Sequence, residues 1–118
     1  MDRDGWTLAF LGTLVLETPV YFFALRRALG PAGALLASLA LNLATHPLAW
    51  SAIRGAPHAF PGIFFAVEGA VTLVEALLIV AIGRTRWSRR RMGVGEALAM
   101  SLAANAFSAG VGLLFWQG

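Results

Sequence analysis

Four apolar runs, each about twenty residues long, decide what this chain can become. They cover residues 6–25, 32–53, 61–83 and 94–116. Each is close to the ~20 residues that carry a helix across a ~30 Å hydrocarbon core. In lipid, every backbone N–H and C=O must be satisfied by the chain itself, and runs without strict alternation cannot close a barrel. The expected fold is therefore all-α: a polytopic membrane protein forming an antiparallel bundle of four transmembrane helices. Their expected bounds are about 6–28, 32–53, 61–83 and 94–116, with 1–118 as a single domain. The joints "LGPAG", "RGAPHAFPG" and "MGVG" carry glycine and proline breakers. They are short, so successive helices should run antiparallel.

Composition agrees. Hydrophobic residues make up 58% and charged residues 13%, with a mean hydropathy of +0.74. A soluble domain has about 45–50% and about 25%. There is no cysteine, which excludes disulfides, thiolate metal sites and thiol nucleophiles. All nine basic residues are arginine, and no mechanism is read from that bias. The first run is expected to stay as a helix rather than act as a signal peptide. Its start, "MDRD", has no net positive charge, and Glu17 interrupts it.

Arginine placement gives an expected orientation. Arg26 and Arg27, with Arg84, Arg86, Arg89, Arg90 and Arg91, fall on one side, and Arg3 and Arg54 on the other: seven against two. The positive-inside bias puts the larger group in the cytoplasm and both termini outside. The expected location is a bacterial inner membrane, with the 84–91 loop cytoplasmic and the lipid bilayer as partner. Trp6, Trp50 and Trp116 then fall at the outer interface as belt residues. The arginine cluster reads first as a topological signal at the membrane surface, with weak attraction to anionic headgroups. The loop is too short for a nucleic-acid reader.

The chemistry lies in polar residues inside the apolar runs. Thr13, Glu17 and Tyr21 are spaced by four and share a helix face. So do Asn42, Thr45 and His46 on the second run. Glu68, Thr72 and Glu75 fall at i, i+4, i+7 on the third run, as do Ser101, Asn105 and Ser108 on the fourth. Each expected helix thus has one polar stripe, which should turn inward to meet the others. At 1.5 Å per residue, Glu17, Asn42 and Asn105 come out near mid-membrane. His46, Glu68 and Ser108 sit nearer the outside, and Glu75 and Ser101 nearer the cytoplasm. Two sites are expected: an outer one of His46 with Glu68 and Glu17, and an inner carboxylate, Glu75, within reach of Arg26 or Arg27.

Three carboxylates, Glu17, Glu68 and Glu75, and one imidazole, His46, lie well inside the runs. Fully ionised, with His46 protonated, they leave two excess negative charges, which hydrocarbon does not tolerate. Protonation of some glutamates, arginines reaching in from the edge, or a bound cation would answer this. Bland readings stand beside these. Asn42 and Asn105 read first as interhelical hydrogen-bonding glue, and Ser101 and Ser108 as close-packing residues. Pro19 and Pro47 read as kinks, each freeing a carbonyl about one turn earlier. Glu96 answers the dipole of the fourth helix, and His58 is a solvated interface residue. The ligand- or proton-binding candidates are Glu17, Asn42, His46, Glu68, Glu75 and Asn105, with His46 and Glu68 as candidate ligands of a divalent metal.

The segments "ETPVYFFALRR", "NLATHPLAW", "EGAVTLVEALL" and "SLAANAFSAG" together resemble a family of small, uncharacterised bacterial membrane proteins of four helices. The resemblance covers almost the whole chain. It implies fold and location and brings no activity. The motifs around Glu17 do not match small multidrug exporters. "HExxH" is absent, and the glutamate and histidine motifs of CAAX-type intramembrane proteases do not align. Three functions remain. The first is binding or conduction of a cation, a proton or a divalent metal, by the Glu/His/Asn cluster. The second is a non-catalytic accessory subunit of a larger membrane complex, with the stripes facing partner helices. The third, a metal-dependent intramembrane hydrolase using Glu17 as base, comes last, because one histidine is few for such a site. The non-enzyme readings lead, and homo-oligomers or larger complexes fit the chain's size.

Overall fold

The computed structural model describes the backbone of residues 3–55 and 62–116, and the side chains of 7–8, 10–49, 51–52 and 62–111. His58 and the joint at 56–61 lie outside the described residues, as do the side chains of Trp6, Trp50 and Trp116 expected in the outer belt. The described chain is all-helical: α1 (Arg3–Gly55), α2 (Gly62–Gly83) and α3 (Val94–Trp116). The expected bundle of four helices is thereby corrected to three.

The reason lies at Gly30. α1 has 53 residues, and straight it would extend about 80 Å. The longest dimension of the molecule is 44 Å, so α1 folds back on itself. Gly30 is its one non-helical residue, at φ 77° and ψ 168°, a region essentially reserved for glycine. Pro31 follows at once, and its fixed φ suits the first position of a resumed helix. The joint "LGPAG" therefore works as a one-residue bend rather than a loop. Its arms, 3–29 and 31–55, lie side by side. Ser38 Oγ stands 3.5 Å from Thr18 Oγ1, and the Phe10 and His46 rings are 5.0 Å apart.

All three helices pack against one another. The buried centre is built largely of small residues, Ala28, Ala34, Ala76, Ala97 and Ala104, around Tyr21, Leu41 and Ile79. Between helices in lipid there is no hydrophobic drive, so close backbone approach and hydrogen bonds take over. The outer faces carry the large apolar side chains: Leu36 is 67% exposed, Leu77 67% and Leu48 73%. All three helices are long and apolar enough to cross a membrane, and these outward faces suit contact with lipid.

The Gly30 bend and the loop at 84–93 share one end. Arg89 N–H donates to Ala28 C=O at 2.7 Å. Met92 is buried against Gly83, where an added Cβ would lie 2.9 Å from Met92 N. Turn bonds from Arg84 N to Ala81 O and from Thr85 N to Ile82 O close the end of α2. Arg90 forks onto Glu96 with two 2.8 Å contacts, in the first turn of α3. Arg26, Arg27, Arg84, Arg86, Arg89, Arg90 and Arg91 are all exposed at this end.

Candidate functional site

Glu75, in the middle of α2, is fully buried. Three helical segments serve its carboxyl group. Tyr21 Oη, from the first arm of α1, donates to Oε1 at 2.7 Å. Asn105 Nδ2, from α3, donates to the same oxygen at 2.8 Å. Thr45 Oγ1, from the second arm, lies 2.7 Å from Oε2. The stripes read from the sequence thus converge as expected, but on Glu75. Its support differs from the expectation: no arginine hydrogen-bonds to it among the described residues. Arg26 instead lies over the Phe23 ring at 5.0 Å, exposed. The count of rises placed Glu75 nearer the cytoplasm than Asn105; the Tyr21 hydroxyl and the Asn105 amide reach its carboxyl across the bundle.

The surrounding groups fix these donors. Asn105 Nδ2 also donates to Ser101 O at 2.9 Å, which orients the amide. Ser101 Oγ donates across to Thr72 O at 2.8 Å and ties α3 to α2. Thr45 Oγ1 lies 2.9 Å from Leu41 O, one turn back in its own arm. A hydroxyl has a single proton, so Thr45 cannot give a full hydrogen bond to both Leu41 O and Glu75 Oε2. If its proton goes to Leu41 O, Thr45 has an acceptor lone pair turned toward Oε2. A proton on Oε2 would close that chain of hydrogen bonds, while Tyr21 and Asn105 occupy Oε1.

The other candidates are distributed around this centre. Glu17 is 2% exposed. Ser108 Oγ lies 2.7 Å from its Oε2 and 3.2 Å from Asn105 O, again one proton between two acceptors, and Oε1 has no hydrogen-bond partner among the described residues. Asn42 donates to Ser38 O at 2.9 Å within its own arm. His46 is half-buried, with its ring tilted against Phe10. Glu68 is half-buried in a groove of about 320 Å³ between α2 and α3, whose floor it shares with Thr72 and Asn105. Glu17, Glu68 and Glu75 are near enough to repel one another when ionised. Among the described residues, no group of three or more His, Asp or Glu side chains is placed to hold a metal ion. The site candidates omitted Tyr21 and Thr45. The signal was present in their spacing from Glu17 and Asn42, but hydroxyls on a stripe read as packing residues.

No family model, curated protein or solved structure matches the chain.

Proposed function

We propose that this chain is an integral membrane protein in which Glu75 binds and releases a proton inside the bundle. One observation carries the reading: the Thr45 hydroxyl, between Leu41 O and Glu75 Oε2, has one proton for two acceptors. A carboxyl that can take up a proton there resolves the conflict, and intramembrane Glu and His chains are the usual means of proton coupling. Glu17, hydrogen-bonded through only one oxygen among the described residues, is a second proton site in the same interior. A divalent metal has less support, since it would need several ligands converging on one point. In the proposed orientation, the Gly30 bend and the 84–93 loop face the cytoplasm with seven of the nine arginines.

Infrared spectroscopy of the protein in nanodiscs tests this. A protonated buried carboxyl gives a C=O stretch separate from the carboxylate bands and sensitive to H/D exchange. The expected result is one such band that is lost in Glu75→Gln and a second, from Glu17, that is lost in Glu17→Gln. If Glu75→Gln removes only carboxylate bands at every pH, Glu75 is a fixed hydrogen-bond hub, and the accessory-subunit reading takes its place.

A further inference from the structure

We propose that the end of the molecule built from the Gly30 bend and the 84–93 loop binds an anionic lipid whose headgroup carries two phosphates. The site is separate from the buried carboxyls. It is also more specific than the weak attraction of any basic edge for a charged membrane.

The charge at this end is unbalanced. Residues 26–27 and 84–96 bring seven arginines and one acid, Glu96. Arg90 commits its guanidinium to that acid, with two 2.8 Å contacts. Arg26, Arg27, Arg84, Arg86, Arg89 and Arg91 form no ion pair with any described residue, and all six are exposed. Like charges gathered on one end repel one another, and an anion seated among them removes that repulsion.

The segments that carry these arginines are fixed to each other. Arg89 N–H donates to Ala28 C=O at 2.7 Å, so the loop is tied to the residue after Arg27. Arg89 Nη2 lies 3.7 Å from where a Cβ on Gly30 would be, which puts that guanidinium over the bend. The backbone of the site is therefore in place before a ligand arrives, which lowers the ordering cost of binding. An arginine fork takes a phosphate through two parallel hydrogen bonds. Two stretches of chain, each with forks to offer, suit two linked phosphates better than one.

The apolar surroundings select a lipid over a free polyphosphate. Arg26 lies over the Phe23 ring at 5.0 Å, and Phe23 is 63% exposed on a span apolar enough to cross a membrane. That pair marks where hydrocarbon gives way to headgroups. Trp87, 73% exposed beside Arg86, is a ring of the kind that settles at headgroup level. A lipid meets both surfaces at once, with its phosphates among the arginines and its acyl chains along the outer helix faces.

The test titrates the full chain in neutral detergent and counts bound lipids by native mass spectrometry. The probes are tetraoleoyl cardiolipin, with two phosphates, and dioleoylphosphatidylglycerol, with one. Inorganic pyrophosphate supplies the same chemistry in soluble form. One cardiolipin should bind at about tenfold lower concentration than phosphatidylglycerol, weaken as salt is raised, and persist in excess pyrophosphate. Arg89→Gln should weaken it by about tenfold, equivalent to about 1.4 kcal/mol, and so should Arg26→Gln combined with Arg27→Gln. Arg90→Gln combined with Glu96→Gln removes a pair of opposite charges and should leave binding unchanged. Helical circular dichroism confirms that each variant is folded. Equal binding of the two lipids, displacement by pyrophosphate, or equal losses in Arg89→Gln and in the Arg90–Glu96 double variant would each overturn the proposal. Glu75→Gln should bind cardiolipin as the unaltered chain does, so a failed infrared test at Glu75 leaves this site standing.

Discussion

Tyr21 and Glu75 are 54 positions apart and meet at 2.7 Å, with the tyrosine hydroxyl as donor. The contact joins the first arm of α1 to α2 where neither has access to water. Removing the hydroxyl takes one donor from a fully buried group. Tyr21→Phe, Thr45→Val and Asn105→Leu should each destabilise the protein by roughly 1 kcal/mol, the usual scale for such bonds and somewhat above the average in membranes. The decisive measurement is a double-mutant cycle by thermal unfolding in detergent. Tyr21→Phe and Glu75→Gln should couple by more than about 0.5 kcal/mol. Arg26→Gln or Arg27→Gln combined with Glu75→Gln should be additive. Coupling to either arginine would restore the expected arginine support of Glu75 from the cytoplasmic end.

Gly30 sits at φ 77°, ψ 168°. A Cβ there would meet only Arg89 Nη2, at an ordinary 3.7 Å. The strain of Gly30→Ala is thus one of backbone, not of space, and should cost about 1–3 kcal/mol. Gly12→Ala, on an exposed helical face with open space around it, should be neutral or stabilising. Equal melting temperatures for the two variants would show that the bend does not need glycine.

Gly83 makes the opposite case, with ordinary backbone and no room. An added methyl would lie 2.9 Å from Met92 N, a backbone atom that cannot rotate away. Gly83→Ala should cost about 1–3 kcal/mol as overpacking and displace the loop that bonds to Ala28. Gly93→Ala, with nothing within 4 Å, serves as control. Protease sensitivity of the 84–93 loop reads the displacement: cleavage should rise in Gly83→Ala alone.

The Arg89–Ala28 bond holds the bend and the loop at one end, so both must face the same side of a membrane. With no native cysteine, Ser88→Cys and Gly5→Cys can be labelled one at a time in intact cells. An impermeant thiol reagent should reach Gly5→Cys and spare Ser88→Cys. The reverse pattern would invert the proposed orientation.

The interior was legible in the sequence because helical spacing determines which residues share a face. Tyr21, Thr45, Glu75, Ser101, Asn105 and Ser108 all came from the four stripes, and each makes an interhelical hydrogen bond. Two things were not legible. Spacing says nothing of side-chain reach, so the count of rises missed how Tyr21 and Asn105 arrive at Glu75. A breaker cluster also does not announce how many residues it will unwind. "LGPAG" unwound one, because Pro31 can start a helix as readily as it ends one.

The one-residue bend also bears on synthesis. The two arms of α1 are neighbours as soon as they leave the ribosome, since closing so short a connection costs little chain entropy. Tyr21 and Thr45 are therefore synthesised before Glu75, and the acid arrives at a half-built cradle that Asn105 completes when α3 follows. Glu17 has no such advantage. Its hydrogen-bond donor, Ser108, lies 91 positions downstream. The nascent chain carries that carboxyl group through all of those residues before the partner exists.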